Sequence, residues 1–307
     1  MIGAVIVTFF PKRDELCDLL DRLYGQVDRV CIVDNTPDDS PGAASVLPQG
    51  WEKEFDGILL GLGKNRGVAT GLNTGIRYLL ESGVDYVLLC DQDSLPSRTM
   101  VASLQFAYES LVKAAYPVGG VGPTFTDLHT NITFSFKANV PGSFFYKAVL
   151  PTSENPYVDT IALITSGTLV SREAFAVAGL MRDDLFIDCV DTEWCLRARS
   201  KGLSLYGVGD ALMEHRMGDQ SLPVWYFGWR RETLYPPTRL YYRVRNQVAL
   251  CLSDLGGLRW KLRSSWYIAG VVYSHVFFST YKLASWRMVL LGLYHGVRGK
   301  MGALENS

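Results

Sequence analysis

Asp91 and Asp93 flank Gln92 just past an apolar run, Asp85–Cys90 (DYVLLC), that reads as a buried strand. The carboxyl end of such a strand is where α/β sheets place ligands. Hard oxygen donors suit Mg2+ or Mn2+, which take few protein ligands and complete their shell with diphosphate oxygens. A D-x-D tripeptide is common, and a helix cap or solvated turn uses the same residues; its place after a strand gives it weight. His215, in Glu214-His215-Arg216 after a later strand, has an imidazole able to complete a metal site begun by two aspartates, though a lone histidine is more often structural.

A second acidic group, Asp188, Asp191 and Glu193, lies in the segment Phe186–Trp194 at the mouth of a short helix. Asp191 there is either a helix cap or a base that takes the proton of an attacking hydroxyl. Asp34-Asn35 ends another strand; its carboxylate can accept from a base N–H or a ribose hydroxyl, and the same pair is an ordinary turn signal. Lys64-Asn65-Arg66-Gly67, running into a helix that contains Asn73, offers two cations and a glycine at a helix N-terminus, a place for a diphosphate. The loop is not a Walker loop, because the Gly-Lys-Ser/Thr ending is absent, and no G-x-G-x-x-G follows the first strand. A dinucleotide oxidoreductase is therefore disfavoured.

The elements that must carry these groups are legible in outline. Ile2–Thr8, Arg29–Asp34, Gly57–Leu62 and Asp85–Cys90 read as strands, with helices opening at Pro11 and spanning Val68–Glu81. Such βα repetition predicts a Rossmann-like half. Further on, Pro117–Phe125, Asn131–Phe136, Asp159–Val170, Leu203–Val208 and Ala211–His215 are expected strands and Val190–Lys201 a helix. From about Leu222 the chain turns aromatic and basic. Trp225, Tyr226, Phe227, Trp229, Tyr235, Tyr241 and Tyr242 crowd around Arg230, Arg231, Arg239, Arg243 and Arg245. Trp266–Phe278 and Leu283–Leu293 are apolar, each too short for a confident membrane span but suited to a bilayer interface or to a hairpin packed on the protein itself.

Composition narrows the classes. Nearly half of the 307 residues are hydrophobic, enough for a large core, and the net charge of −1 argues against a nucleic-acid binder. The charge is uneven, however: Leu255–Leu304 holds no Asp or Glu but has Arg259, Lys261, Arg263, Lys282, Arg287, Arg298 and Lys300. Such a stretch fits an anionic membrane face. The six cysteines include no C-x-x-C pair and read as buried thiols of a reducing compartment. The apolar N-terminus lacks a basic flank and reads as a strand rather than a signal peptide, which points to the cytoplasm.

As a set, Val7-Thr8-Phe9, Val33-Asp34-Asn35, the Asn65/Gly67/Ala69/Asn73/Gly75 spacing, Asp91-Gln92-Asp93-Ser94, Thr165-Ser166-Gly167, Phe186–Trp194 and Tyr241-Tyr242-x-x-Arg245-Asn246 resemble the family-two inverting glycosyltransferases of GT-A fold, and most of all their bacterial rhamnosyltransferase branch. The resemblance runs from about Ile2 to Asn246. It implies a GT-A type Rossmann-like mixed sheet flanked by helices over residues 1–220; the charge asymmetry and aromatic content make 221–307 an expected C-terminal helical, membrane-associating region. The resemblance implies that Thr8, Phe9 and Asp34 hold the base and that Asn65, Arg66, Gly67 and Asn73 lie along the nucleotide. Asp91 would meet the ribose, with Gln92 beside it, and Asp93 the Mg2+ or Mn2+, with Asp91 and His215 as further ligands. Asp191 would be the catalytic base, with Ser166, Gly167, Asp188, Glu193 and Trp194 on the acceptor side. Many relatives have Glu-Asp where this chain has Val190-Asp191, so Asp188 or Glu193 would share the base's work.

The activity implied is transfer of L-rhamnose from dTDP-L-rhamnose, with inversion, to a hydroxyl of a bacterial surface glycan or lipid-linked glycan, such as lipopolysaccharide core or O-antigen, by an enzyme peripheral on the cytoplasmic face of the inner membrane. The rivals are a UDP-hexose donor and a nucleotide-binding or membrane-scaffolding module without turnover. Paired aspartates plus Asp191 oppose the latter, since a pure binder needs no base. A nucleotidyltransferase would need a glycine- and lysine-rich loop after the first strand, which Thr8–Arg13 does not supply.

Overall fold

The computed structural model describes residues 1–127, 132–215, 221–225 and 229–304, without the side chains of 127, 215, 221–223 and 229–233. The first half alternates β1 (Ile2–Thr8), α1 (Arg13–Leu23), β2 (Arg29–Asp34), the single turn α2 (Trp51–Glu54), β3 (Ile58–Gly61), α3 (Val68–Glu81) and β4 (Tyr86–Asp91). All four strands are parallel, with β1 between β2 and β4. Their near-continuous apolar sequences follow from burial on both faces. Ala4, Ile6, Val30, Ile32, Leu88 and Cys90 pack with α1 on one side, and Val5, Cys31, Val33, Val87 and Leu89 with α3 on the other.

Next come β5 (Ser94–Pro96), α4 (Met100–Lys113), β6 (Val118–Asp127), the short pair β7 (Phe136–Ala138) and β8 (Lys147–Val149), β9 (Tyr157–Asp159), β10 (Thr168–Ser171), α5 (Arg172–Ala178), α6 (Val190–Ser200) and β11 (Ser204–His215). β10 lies antiparallel between β4 and β6, so the main sheet is mixed, in the order β3-β2-β1-β4-β10-β6-β11-β5, with β9 also on β11. The hairpin β12 (Ser221–Trp225) and β13 (Trp229–Thr233) precedes three helices, α7 (Pro237–Leu252), α8 (Gly257–Phe278) and α9 (Lys282–Arg298). Tyr226 and Phe227 of the aromatic run lie outside the described residues.

Four expectations change. Of the strand expected over Asn131–Phe136, the described part is an isolated bridge at Thr133 and the first residue of β7, Phe136; Asn131 lies outside the described residues. The strand expected over Asp159–Val170 is two short ones, because the chain leaves the sheet between them to line the site. Leu203–Val208 and Ala211–His215 are one strand, β11, whose register against β6 slips between Val208 and Leu212. No element was expected where α4 and α5 stand, although Met100, Leu104, Ala107, Tyr108 and Leu111 are buried at helical spacing. Among the described residues no helix is long and apolar enough to cross a membrane.

Candidate active site

The carboxyl ends of β1, β2 and β4 converge on one edge of the sheet, and side chains from each tie that edge together. Asp34 is buried, and its carboxylate accepts from Thr8 Oγ1 (3.0 Å), Thr36 N (3.0 Å) and Ala43 N (2.5 Å). It therefore shapes the loop after β2. Asn35, which the sequence reading treated only as a turn residue, bridges to the donor loop: its Nδ2 donates to Gly67 O (2.9 Å) and its Oδ1 accepts from Arg66 N (2.8 Å). Gln92 does the same across β1 and β4, its Oε1 accepting from Phe9 N (2.8 Å). Asn65 accepts from Gly67 N (2.9 Å), and the side chains of Lys64 and Arg66 stand exposed beside the N-terminus of α3.

Asp91 and Asp93 lie at the end of β4. Ser166 Oγ donates to Asp91 Oδ2 (2.6 Å), and Ser94 Oγ lies 3.1 Å from Ser166 Oγ. The neighbouring Gly167 has a φ of +77°, and a Cβ on it would sit 2.7 Å from Pro123. Only glycine turns the chain there, which is how Ser166 reaches Asp91. Asp91 Oδ1 accepts from no described residue, and a carboxylate oxygen of this kind is a hard donor of the type Mg2+ or Mn2+ takes. Among the described residues no cluster of three or more His, Cys, Asp or Glu could by itself hold a metal. A cation here would need oxygens from its substrate. The third expected ligand, the side chain of His215, lies outside the described residues.

The opposite wall is the segment Asp183–Asp191. Phe186 (φ +66°, ψ −67°) with the Ile187 N to Leu185 O bond of 2.8 Å makes a γ-turn of the rare positive-φ form, and Asp188 and Cys189 both have φ +63°. Three non-glycine residues in left-handed backbone within four positions are strain of the sort that collects at functional sites. Asp191 sits in the first turn of α6, where its Oδ1 accepts from Thr192 N (2.6 Å) and Thr192 Oγ1 (3.2 Å). The carboxyl keeps some access to solvent but is mostly walled by protein. That burial pushes its pKa up to about 6; the Thr192 donors oppose the rise, and the charges of Asp91 and Asp188 add to it. Asp91 and Asp191, a hundred positions apart, are thus near enough to feel each other. An acid held near neutrality is suited to accept a hydroxyl proton.

The remaining acceptor-side expectations divide. Asp188 faces the site rim and pairs with Arg239 (3.2 Å) and Arg243 (3.7 Å) of α7. Glu193 is buried and held by Arg197 (2.9 Å), which also donates to Ala178 O and Leu180 O. Trp194 is buried too, its Nε1 donating to Gly179 O (2.7 Å) beside Phe175. These two are buried in the packing of α6 rather than on an open surface, because the helix turns positions 193 and 194 inward while Asp191 in its first turn stays partly exposed. Asn73, expected along the nucleotide, spends Nδ2 on Met181 O (2.8 Å) and Asp183 (2.6 Å) and Oδ1 on Met181 N (2.8 Å). Its observed work is to join α3 to the acceptor-side segment.

The match to known proteins follows from this geometry. Residues 4–168 match the model of glycosyl transferase family 2, and the chain belongs to that family. It is 30% identical over 98% of its length, and 97% of the relative's, to the dTDP-rhamnosyl transferase RfbF of Shigella flexneri. It is 27% identical to a galactofuranosyltransferase of Mycobacterium tuberculosis, with 86% of each chain covered. Among solved structures, 98% of the chain superposes on 82% of S. aureus TarS 1–349 (TM-score 0.52, 14% identity). It also superposes over 97% of its length on GalNAc-T7 crystallised with UDP, GalNAc and Mn2+ (TM-score 0.59, 11% identity), spanning 56% of that longer chain. The fold is of the GT-A type.

Proposed function

We propose that the chain is an inverting rhamnosyltransferase that moves L-rhamnose from dTDP-L-rhamnose to a hydroxyl of a bacterial surface glycan or lipid-linked glycan. The observation that carries the reading is the approach of Asp91 at the end of β4 to Asp191 at the start of α6, with the latter's carboxyl pushed up to about 6. Similarity to the dTDP-rhamnosyl transferase supports the sugar.

In this reading the diphosphate lies between Asp91/Asp93 and the exposed cations Lys64 and Arg66 at the N-terminus of α3. Asp93 and Asp91, with His215, would hold Mg2+ or Mn2+, which offsets charge on the departing diphosphate. Thr8, Phe9, Asp34 and Gln92 form the base and ribose end. Asp191 takes the proton of the acceptor hydroxyl as that oxygen attacks the anomeric carbon opposite the leaving group, so configuration inverts in one displacement. Lys64 and Arg66 stabilise charge that grows only as the bond breaks, which lowers the barrier rather than merely tightening binding.

Residues 221–307 form the part that meets an anionic membrane on its cytoplasmic face, with Trp266 83% and Leu283 84% exposed among Lys282 and Arg287. The decisive experiment presents a panel of nucleotide sugars with Mg2+ or Mn2+ and follows release of free nucleotide. dTDP-L-rhamnose should be consumed selectively. Preference for a UDP-hexose, the second reading, would replace the donor while leaving the site assignment intact; the similarity to galactofuranosyltransferases favours keeping a sugar other than rhamnose in the panel. Co-flotation with vesicles containing anionic lipid, weakened in Arg287→Glu, tests the membrane part; equal binding to neutral vesicles would refute it.

A further inference from the structure

The segment that delivers Asp191 does not hold itself in place. Phe186, at the centre of a strained γ-turn, and Asp188 and Cys189, also at positive φ, hold backbone conformations that persist only where surroundings over-determine them. Those surroundings come from α7, about sixty residues later. Arg245 is wholly buried and pairs with no carboxylate among the described residues; its Nη2 donates to Asp184 O (3.3 Å) and Leu185 O (2.9 Å), its Nη1 to Gly302 O. Asn246, equally buried, shares its Nδ2 among Leu185 O (2.9 Å), Ile187 O (2.8 Å) and Asp188 O (2.9 Å). The two side chains are locked to each other by the Arg245 Nε to Asn246 Oδ1 bond of 2.9 Å. From the other side, Gly302 N donates to Asp184 O (2.7 Å), and Phe186 stacks on Tyr242 at 4.9 Å. α7 is itself braced by α9, where a Cβ on Gly292 or Gly296 would lie 2.9 Å from Tyr241 O or 2.8 Å from Arg245 O.

We propose that Arg245 and Asn246, completed by Gly302, are positioning residues: by holding the carbonyls of Asp184, Leu185, Ile187 and Asp188 they set the direction in which α6 presents Asp191 to the acceptor hydroxyl. The proposal rests on the reading of Asp191 as the base. It gives the helical C-terminal region a part in the reaction as well as in location. The carbonyls of this segment have no regular secondary structure to satisfy them, so loss of the donors leaves buried acceptors bare and frees the main chain to swing. A displacement of about 1 Å at a reacting group can cost up to 10²-fold in rate.

Asn246→Asp keeps size and shape but turns a donor into a carboxylate facing three carbonyls. Gly302→Pro removes the main-chain donor to Asp184 O and, because proline cannot hold the φ of +90° found at Gly302, also displaces the carbonyl that Arg245 meets; the melt reports whether the chain still folds. Both are measured in the full chain with the accepted donor, alongside calorimetric binding of dTDP with Mg2+ and a thermal melt. The expected result is a kcat lowered about tenfold in Asn246→Asp and a few-fold in Gly302→Pro, with donor KM and dTDP affinity within about twofold of the parent. Arg245→Lys, which keeps a single donor, should fall less than Arg245→Met. Unchanged kcat in folded Asn246→Asp or Gly302→Pro overturns the proposal, as does a parallel fall of kcat and dTDP affinity. If Asn246→Asp does not fold, Gly302→Pro decides alone. Asp191→Asn serves as the control: near-normal turnover there sinks the base assignment, whereas an inactive Asp191→Asn beside a fully active Asn246→Asp sinks only the positioning role.

Discussion

The site has two walls built on different principles. On the β4 side, Asp91 ends a strand whose five preceding residues lie in the sheet, Asp93 follows two residues on, and the supports are close at hand: Ser94 of β5 and the turn residues Ser166 and Gln92. On the α6 side, Asp191 follows a strained segment held by residues from α3, α7 and the chain's end. A sheet edge presents groups to a diphosphate and cation at little conformational cost. A loop that must aim one carboxyl is held by supports gathered from far along the chain.

The sharpest way to break this contrast is Asp191→Asn. Thr192 can still donate to the amide oxygen, so dTDP binding should persist while kcat falls by about 10³-fold or more, as for loss of a general base. Single-turnover kinetics with calorimetry would check both halves. Asp93→Ala should cost roughly 10²–10³-fold in kcat/KM, equivalent to several kcal/mol of lost charge stabilisation, and should blunt the response to added Mg2+ or Mn2+. If the two variants fail in the same way, with nucleotide affinity lost in both, the walls do not have separate tasks.

Acid titration separates the walls next. Asp191 must be ionised to act, and its carboxyl is pushed up to about 6, so kcat/KM should drop as pH falls through 6, by about tenfold at pH 5. A profile flat down to pH 4.5 would place the base elsewhere. A smaller effect should appear in Trp194→Phe: loss of the bond to Gly179 O and of buried ring volume should destabilise by about 1–3 kcal/mol with acceptor KM unchanged. A raised acceptor KM would return Trp194 to the acceptor surface. Smallest is a stability gain. A raised folded-state pKa means that the ionised form of Asp191 disfavours folding; the favourable contribution is complete below the ordinary carboxylate range and is lost as pH rises through about 6. At pH 7, Asp191→Asn should therefore melt higher, by an amount of the order of 1 kcal/mol.

How far the sequence could be read follows the same division. β1, β2 and β4 were legible because each is a short apolar run ending in a polar or acidic residue, so D-x-D could be assigned to an edge without knowing any distant contact. Asp191 was legible as an acid near a helix start. Its direction was not, nor was the inward turn of Glu193 and Trp194, because a low-amphipathicity helix such as α6 gives periodicity little to work on. Arg245 and Asn246 stood out only as part of a motif. An Arg-Asn pair in a basic, aromatic stretch gives no sign that it is wholly buried against carbonyls sixty residues upstream. The sequence signal that could have pointed to them was the Gly292/Gly296 spacing, which marks close helix approach at that level of α7.

Gly67 closes the loop Lys64–Gly67 with a φ of +86°, and a Cβ placed on it would lie 2.6 Å from Phe186 O. The entry to α3 and the strained segment before α6 therefore rest directly against one another, main chain to main chain. Any reshaping of residues 64–67 would jostle the turn at Phe186 in the same stroke. Under the proposed function, selection of what is given and of what receives it would be mechanically coupled through that one contact.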